Sequence, residues 1–364
     1  MLLSLQSLSC KSFGSDPEND AASEFSKSKA YNSAKASFEN RRPELVANMR
    51  KKALSWDLFK QWYNADKNVV PSEKLPDVKP DITSFSQASE ALKMIWFGHS
   101  SFLINLNGRH ILIDPIFSDA ASPFSFMVKR FQKPTLGLTE LPRIDYIVIS
   151  HDHYDHLDME TISFFANNGS VNANEVRFIV PLGVGSHLKY WGIKEAQIIE
   201  HDWWQSSTLG DIEFVATPAQ HFSGRKGING NKTLWVSWII KSKQKTLYFS
   251  GDSGYDSHFK QIGEKYGPID VALIECGQYN ESWRAVHMMP QESVQAYQDL
   301  NAKRFFPIHW AMFQLSIHPW YEPIELLYEA YKQEKINLIA PRLGEVFDAN
   351  GDYTLEPWWQ EVAR

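Results

Sequence analysis

The segment SHDHYDHLD, residues 150–158, places three histidines and three aspartates directly after the apolar run IDYIVI. If the strand conformation persists, His151 and His153 point the same way, so their imidazoles can converge on one ion. Asp155 and His156 lie beyond a turn and can face a second ion beside the first. The spacing therefore predicts two neighbouring metal sites, each of which needs further ligands from elsewhere in the chain.

Three more candidate ligands each follow a strand-like run: His221 in TPAQHF, Asp252 in FSGDSG and His309 in FPIHW. Loops that end rigid strands are where metal ligands are expected. A lone histidine is more often a hydrogen-bonded residue at the edge of a core, but the complete set favours a metal centre. Imidazole and carboxylate ligands suit zinc, while manganese or iron can load the same residues.

Composition narrows the class of protein. The 364-residue chain has a formal net charge of -6, which argues against broad nucleic-acid binding. Its hydrophobic content of 43% is enough for a substantial core. The two cysteines, Cys10 and Cys276, are too few for a disulfide framework or a thiolate zinc site. The many aromatic residues fit either a tryptophan-rich core or a surface that handles apolar ligands.

The cellular location is left open by the sequence. Its first ten residues, MLLSLQSLSC, are an apolar stub with no Lys or Arg ahead of it, so they support a secretory signal poorly. A small residue before Cys10 is nevertheless typical of a bacterial lipoprotein cleavage site. We expect a cytoplasmic or peripheral membrane location, with a lipoprotein or secreted protein as the alternative if this stretch is a truncated signal.

The chain divides into three regions. Residues 1–42 are rich in Ser, Asp, Glu, Lys and Asn and are predicted to form an irregular, loosely held arm. Residues 43–90 hold a helix with apolar residues three and four positions apart, followed by a proline-containing linker. Residues 91–364 alternate strand-like and helix-like stretches and are predicted to be the main α/β domain. The helix carries a basic cluster formed by Arg50, Lys51 and Lys52. This cluster either contacts anionic lipid headgroups or, as we favour, lies on a solvated edge of a helix packed on the main domain.

The order HxHxDH, His, Asp, His resembles the metallo-β-lactamase superfamily. Over residues 94–346 the chain is similar to N-acylphosphatidylethanolamine-hydrolysing phospholipase D and its bacterial relatives, through FGHSSF, DPIFSDAASPFSF, KRF, ELPRIDYIVISHDHYDHLD, VPLG, DWW, FSGDSGY, GPIDVALI and IHWAMF. The resemblance implies a four-layer αββα sandwich carrying an N-terminal helical extension. Residues before 90 match less well. In the animal enzyme that region helps to build a membrane-facing, dimer-forming lipid groove.

The resemblance also implies how the ligands divide. It places His151, His153 and His221 on one zinc ion, Asp155, His156 and His309 on the other, and Asp252 between them with a shared hydroxide. Such a hydroxide is a nucleophile at neutral pH because the metals lower the pKa of bound water to about 7. Asp155, Asp252 and His287 are the predicted catalytic residues. His287, in RAVHMMP, either contacts the phosphate, assists the leaving group or merely caps the following helix, and His99 is expected to support the ligands rather than to be one.

Residues that flank the motifs each have two interpretations. Lys129 and Arg130, in KRF, either attract phosphate or solvate a loop. Four apolar residues either wall an acyl-chain cleft or pack in the core: Tyr279, Trp283, Met288 and Met289.

The favoured hypothesis is a dizinc phosphodiesterase of phospholipase D type that cleaves N-acylphosphatidylethanolamines to N-acylethanolamine and phosphatidic acid. Two dications, two ligand carboxylates and one hydroxide leave about +1 at the centre, which suits an anionic phosphodiester. A lactonase or sugar-phosphate hydrolase of the same superfamily is the alternative, and a non-catalytic metal-binding scaffold is an alternative of another class. The expected partners are a phospholipid substrate, a peripheral membrane contact and a second copy of the chain, but no nucleic acid.

Overall fold

Strands and helices alternate through the main domain, as predicted. The computed structural model describes residues 11–363 except 19–20, 54–55, 66, 168, 170–171 and 228–229, and it describes only the backbone of residues 22, 50–53 and 56–59. The stretch MLLSLQSLSC and the side chains of the basic cluster lie outside the described residues.

The strands are Tyr31–Asn32 (β1), Ser37–Phe38 (β2), Lys93–Trp96 (β3), Phe102–Leu106 (β4), Arg109–Ile113 (β5), Tyr146–Val148 (β6), Arg177–Pro181 (β7), Ile198–His201 (β8), Ser206–Leu209 (β9), Ile212–Thr217 (β10), Ser237–Lys241 (β11), Thr246–Phe249 (β12), Val271–Glu275 (β13), Phe305–Ile308 (β14) and Val346–Asp348 (β15). The α-helices are Ala21–Phe25, Pro43–Ala53, Trp56–Tyr63, Ile82–Phe85, Met159–Ala166, Gly185–Tyr190, His258–Tyr266, Pro290–Asp299, Glu322–Lys332 and Trp359–Val362. Among the described residues, no helix is both long enough and apolar enough to span a bilayer.

Two sheets form the centre of the domain. The first has the order β15-β3-β4-β5-β6-β7-β8, and the second has the order β14-β13-β12-β11-β10-β9. Each combines an antiparallel meander with a set of parallel strands, β5 to β8 in the first and β12 to β14 in the second. The two halves of the domain therefore share one pattern of connections.

Asn-Gly is the dipeptide most typical of a two-residue hairpin turn, so the sequence predicts one at Asn107-Gly108, and these residues join β4 to β5. Both residues have positive φ, 55° and 79°, as a two-residue turn between twisted strands requires. The hairpin turn predicted from this dipeptide is confirmed.

Alternate residues of the central strands face opposite layers. On β6, Tyr146 and Val148 pack between the two sheets, whereas Ile147 belongs to a second core beneath the helix Met159–Ala166. The Tyr146 ring meets the Phe214 ring of the second sheet at 5.1 Å. Helices His258–Tyr266 and Pro290–Asp299 bury residues against the second sheet. Because helices and the opposite sheet cover both faces of the central strands, β6, β12 and β13 are buried along their whole length. The predicted αββα sandwich is confirmed.

Residues 11–42 are held more firmly than their polar composition suggests. Phe25 and Phe38 are 5% and 0% exposed and join the main core. The guanidinium of Arg225 donates two hydrogen bonds to the carbonyl of Ser12, at 2.7 and 3.0 Å. The expectation of a loosely held arm therefore fails for the described part of this segment, because Phe25 and Phe38 are buried in the main core and the Ser12 carbonyl accepts from a buried arginine of the main domain.

A partly buried carboxyl group makes stability depend on pH. Glu200, on β8, accepts a hydrogen bond from the Gly185 N–H at 2.7 Å, and burial raises its pKa to about 7. A carboxyl group whose pKa is higher in the folded than in the unfolded state binds its proton more tightly in the folded state. The free energy of unfolding therefore falls as pH rises from about 4.5 to about 7. We expect Glu200→Gln to raise the free energy of unfolding by about 2 kcal/mol at pH 8 and to leave it almost unchanged at pH 4.

Urea unfolding at the two pH values measures this difference. Glu195→Gln is the matched control, because the Glu195 side chain is 85% exposed. An equal effect of Glu200→Gln at both pH values would contradict the prediction.

Candidate metal centre

The seven predicted ligands meet at one edge of the sandwich, where strands of both sheets end. The histidine- and aspartate-rich segment follows β6, and the other three ligands follow β10, β12 and β14. The seven are His151, His153, Asp155, His156, His221, Asp252 and His309. His153 is partly exposed, and the other six are buried. Ligands on strand ends are held by the packed sheets behind them, so their positions are fixed before any ion binds.

The first ligand group contains His151, His153, His221 and Asp252, with ligand atoms within 4.8 Å of one another. His153 Nδ1 lies 2.9 Å from His151 Nε2 and 3.2 Å from His221 Nε2. Asp252 Oδ2 lies 3.8 Å from His151 Nε2 and 3.7 Å from His221 Nε2. Ligands about 2.05 Å from a tetrahedral zinc ion stand about 3.3 Å apart, so these atoms suit such an ion.

The second ligand group contains Asp155, His156 and His309, and it too reaches Asp252. Asp252 Oδ1 lies 3.2 Å from both His156 Nε2 and His309 Nδ1. Asp155 Oδ2 lies 3.4 Å from His156 Nε2 and 3.9 Å from His309 Nδ1. One oxygen of Asp252 thus faces the first group while the other faces the second, which is the arrangement of a bridging carboxylate.

Several of these buried ligand atoms have no hydrogen-bond partner among the described residues. They are His156 Nε2, His309 Nδ1 and Asp252 Oδ1, three atoms that point at one another. Buried polar atoms are rarely left unsatisfied. A cation among them would satisfy all three, so the donor set fits a metal ion.

Burial and neighbouring carboxylates set the charge of the centre. Burial lowers the pKa of His151, His221 and His309 well below the ordinary value, which keeps their lone pairs available to a cation. Burial also opposes the charged form of His156, but the carboxylates of Asp252, Asp155 and Asp114 outweigh it and raise its pKa. A dication bound here competes with the proton on His156, so metal affinity falls as pH falls.

Sequence reasoning missed Asp114, which supports the ligand His156. Its Oδ2 lies 2.7 Å from His156 Nδ1, and it also accepts hydrogen bonds from the Ser150 N–H and hydroxyl. This contact fixes the ring so that Nε2 faces the other ligands. A signal was present, because the aspartate of LIDP directly follows β5 at the same edge of the sheet.

His99 lies beside the second group, with Nε2 2.9 Å from Asp155 Oδ2. This contact matches the supporting role expected for it. His99, Asp114 and His309 all have left-handed backbone, with φ of 54°, 37° and 69°. Such conformations are costly for residues other than glycine and cluster at functional sites.

The remaining residues of SHDHYDHLD hold the loop. Asp152 accepts hydrogen bonds from the Gly224 N–H at 2.7 Å and the Thr233 hydroxyl at 2.9 Å. Asp158 caps the helix Met159–Ala166. These contacts connect the first-sheet loop to the second sheet and leave the ligand residues free to face inward.

His287 reaches the centre, where its ring stacks on that of His309 at 5.2 Å. Its Nδ1 lies 2.8 Å from Oε2 of Glu275, whose Oε1 accepts the Met288 N–H at 2.6 Å. Glu275 is 1% exposed, and burial raises its pKa to about 7 although His287 opposes that shift. Sequence reasoning missed Glu275; the signal was a carboxylate at the end of the apolar strand VALIE.

Lys129 and Arg130, for which the sequence left phosphate attraction and loop solvation open, differ in their contacts and exposure. Arg130 donates to the carbonyls of Ile116, Ser118 and Gln132, so it holds the loop instead of facing a substrate. Lys129 is exposed.

Of the four apolar candidates for a cleft, Met288 is fully buried in the core. Tyr279 is also buried, and its hydroxyl donates to Glu322. Trp283 and Met289 are partly exposed, and the Trp283 indole donates to the Gln278 carbonyl at 2.6 Å. Core packing therefore accounts for Met288 and Tyr279.

Residues 109–310 match the family model described as the β-lactamase superfamily domain. The matched residues are more than half of the chain. The chain belongs to the metallo-β-lactamase superfamily. The fold and the candidate ligands of the chain agree with this membership. The protein is a metal-dependent hydrolase of the metallo-β-lactamase superfamily.

Relatives within the superfamily cover most of the chain. An uncharacterised protein of Mycobacterium tuberculosis (strain ATCC 25618 / H37Rv) is 40% identical over 80% of this chain and 77% of its own. N-acyl-phosphatidylethanolamine-hydrolyzing phospholipase D 1 of Caenorhabditis elegans is 33% identical over 77% of this chain and 84% of its own. The solved structure of Igni18, a metallo hydrolase from the archaeon Ignicoccus hospitalis, aligns with a TM-score of 0.55 and 21% identity over 71% of this chain and 97% of that chain.

The N-terminal segment contacts the backbone of His221, one of the candidate metal ligands. Asn40 Oδ1 accepts the His221 N–H at 3.0 Å, and its Nδ2 donates to the His221 carbonyl at 2.6 Å. We expect Asn40→Ala to weaken metal binding about tenfold, because the loop that presents His221 loses both contacts. Competition with a chromogenic chelator measures the affinity.

Asn32→Ala is the matched control, since the Asn32 side chain forms hydrogen bonds with Ala34, Lys35 and Glu39 of its own segment. Unchanged metal affinity in Asn40→Ala would show that the segment does not position this ligand.

Proposed function

We propose that the protein is a dizinc phosphodiesterase of phospholipase D type, which cleaves N-acylphosphatidylethanolamines to N-acylethanolamine and phosphatidic acid. The observation that carries this proposal is the 33% identity to the Caenorhabditis elegans relative named for that reaction, which extends over 84% of the relative's length. The complete ligand set is consistent with a hydrolytic centre, and the two-sided position of Asp252 supports two ions.

We assign the ligands to two ions. His151, His153 and His221 would hold one ion, and Asp155, His156 and His309 would hold the other, with one oxygen of Asp252 facing each group. Zinc suits this set of imidazoles and carboxylates, and metal analysis distinguishes it from manganese or iron. When bound, zinc lowers the pKa of a coordinated water to about 7 and so supplies a nucleophile without a serine or cysteine.

His287 and Glu275 complete the proposed site. The Glu275 carboxylate accepts the Nδ1 proton of His287 and raises the pKa of His287, although burial opposes that shift, so the protonated ring also carries a proton on Nε2. This Nε2–H would donate to a phosphate oxygen or to the leaving oxygen. The bond that breaks joins phosphorus to the ethanolamine oxygen, so this oxygen leaves as the hydroxyl of N-acylethanolamine. The oxygen of water remains on phosphatidic acid.

The experiment combines a substrate panel with labelled water. Purified protein of measured metal content is incubated in H₂¹⁸O with an N-acylphosphatidylethanolamine, an ordinary phosphatidylethanolamine and a soluble lactone. We expect equimolar N-acylethanolamine and phosphatidic acid by mass spectrometry, with the label in phosphatidic acid, and loss of turnover in chelator that zinc reverses. Turnover of the lactone alone would overturn the proposal in favour of the lactonase alternative.

A further inference from the structure

Residues 122–127, which we call the apolar tip, expose three large apolar side chains within six positions. Phe124, Phe126 and Met127 are 40%, 72% and 46% exposed. The two phenylalanine rings stack at 5.8 Å in this exposed position. Single exposed apolar residues are common on protein surfaces, but a contiguous group of them marks a surface that contacts a partner or a membrane.

The apolar tip is part of a built hairpin. Below it, the Ala121 N–H donates to the Val128 carbonyl at 3.0 Å and the Arg130 N–H donates to the Asp119 carbonyl at 3.1 Å. Within the tip, the Met127 N–H donates to the Phe124 carbonyl at 3.0 Å. The arginine contacts described above brace the base of the hairpin. The aromatic side chains are therefore presented outward by ordered backbone.

The base of this hairpin adjoins the metal centre. The Phe131 N–H donates to the Met312 carbonyl at 2.8 Å, and Arg130 forms a backbone bridge with Phe313. The Phe313 ring packs edge-on against His99 at 5.2 Å, and His99 contacts the ligand Asp155. The apolar tip thus projects from the side of the molecule on which the reaction is proposed to occur.

A second exposed apolar pair lies on the neighbouring segment. Trp62 and Tyr63, at the end of the helix Trp56–Tyr63, are 44% and 84% exposed. This segment is tied to the same region, because the Asn280 amide donates to Gln61 at 3.3 Å and Val69 lines one small cavity with Phe131 and Phe313. Two apolar projections therefore flank one part of the surface.

Basic side chains accompany both projections, although the chain carries a net charge of -6. Among the described side chains of residues 60–67 and 119–133, one acidic residue, Asp119, and four lysines are exposed: Lys60, Lys67, Lys129 and Lys133. Glu281, next to Asn280, is also exposed. Aromatic side chains beside lysines are the combination that binds the interface of an anionic bilayer, where rings enter the headgroup region and ammonium groups meet phosphates.

We propose that the apolar tip docks the protein on an anionic lipid bilayer and brings the metal centre to the membrane surface. The inference rests on the proposed lipid substrate. N-acylation removes the positive charge of the ethanolamine and leaves that substrate anionic, so its own accumulation in a bilayer favours docking of this lysine-bearing surface.

The experiment measures binding to vesicles separately from catalysis. Phe124→Ser/Phe126→Ser is compared with the unaltered protein by co-sedimentation with vesicles of equal parts phosphatidylglycerol and phosphatidylcholine, and with vesicles of phosphatidylcholine alone. Tyr190→Ser is the matched control, since Tyr190 is 53% exposed on the helix Gly185–Tyr190. Hydrolysis of bis(4-nitrophenyl) phosphate, a soluble phosphodiester, monitors the centre itself.

We expect the unaltered protein and Tyr190→Ser to bind the anionic vesicles, and the apolar-tip variant to bind at least about tenfold more weakly. Lys129→Gln/Lys133→Gln should weaken binding by about tenfold and flatten its dependence on salt. All variants should hydrolyse the soluble phosphodiester at equal rates.

Three outcomes would overturn docking: no vesicle binding by the unaltered protein, equal binding by the apolar-tip variant, or a tip that instead mediates dimers detected by light scattering while vesicle binding stays intact. Tip-dependent vesicle binding without turnover of the N-acylated lipid would support docking and overturn the proposed function, so the two failures are distinguishable.

Discussion

Asp252→Ala is expected to lower kcat/KM by at least about a thousandfold, because the two ligand groups share this one carboxylate. Without it, Oδ2 no longer faces His151 and His221, and Oδ1 no longer faces His156 and His309. The buried imidazoles would remain without the anion that lies between them. We therefore expect metal content, measured by inductively coupled plasma mass spectrometry, to fall together with activity.

Asp270→Ala is the matched control for this substitution. Asp270 is also a buried carboxylate, 9% exposed, but it accepts the Thr246 N–H and pairs with Lys303 away from the ligands. Its replacement should lower stability while the metal content and activity per folded molecule are retained. Full metal content in Asp252→Ala would contradict the assignment of a bridging carboxylate.

Glu275→Gln is expected to lower kcat by about 10- to 100-fold with little change in metal content. The carboxylate accepts both the His287 Nδ1 proton and the Met288 N–H, and an amide offers only one accepting atom. With the amide oxygen on Met288, the amide nitrogen faces Nδ1 and no longer stabilises the protonated ring, so the pKa of His287 falls. A neutral His287 is a much weaker acid towards the leaving oxygen.

A double-mutant comparison tests whether Glu275 acts through His287. If it does, Glu275→Gln/His287→Ala should be no slower than His287→Ala alone. Glu322→Gln, which alters the partner of Tyr279, is the control for a general loss of packing beside this loop. Additive losses, or metal lost from Glu275→Gln, would show that Glu275 acts by a different route.

The ligand set was accessible from sequence because its geometry is local. Two histidines separated by one residue, then Asp155 and His156, fix four positions within six residues, and the other three candidates each follow a run of strand-forming residues. Strand ends in a layered α/β domain converge on an edge, so the register of distant strands was not needed. The same reasoning predicted the hairpin at Asn107-Gly108.

The supporting residues were less accessible because their roles depend on register between distant elements. Asp114 and Glu275 each lie at the end of an apolar strand, which indicates the edge of a sheet. The sequence does not show that β5 ends beside His156 or that β13 ends beside His287. For Arg130 the sequence left phosphate attraction and loop solvation open, whereas its guanidinium donates to three backbone carbonyls. Contacts of this kind are visible only after both partners are placed.

The clamp of Asn40 on His221 has a consequence for how the centre is assembled during synthesis. The two residues are 181 positions apart, and the last ligand, His309, lies farther still along the chain. Closing such long loops costs chain entropy before any contact repays it, so the ligands come together late in folding. A nascent chain carries the histidine-rich segment long before His309 leaves the ribosome. Tight metal capture should therefore mark a finished chain rather than a growing one.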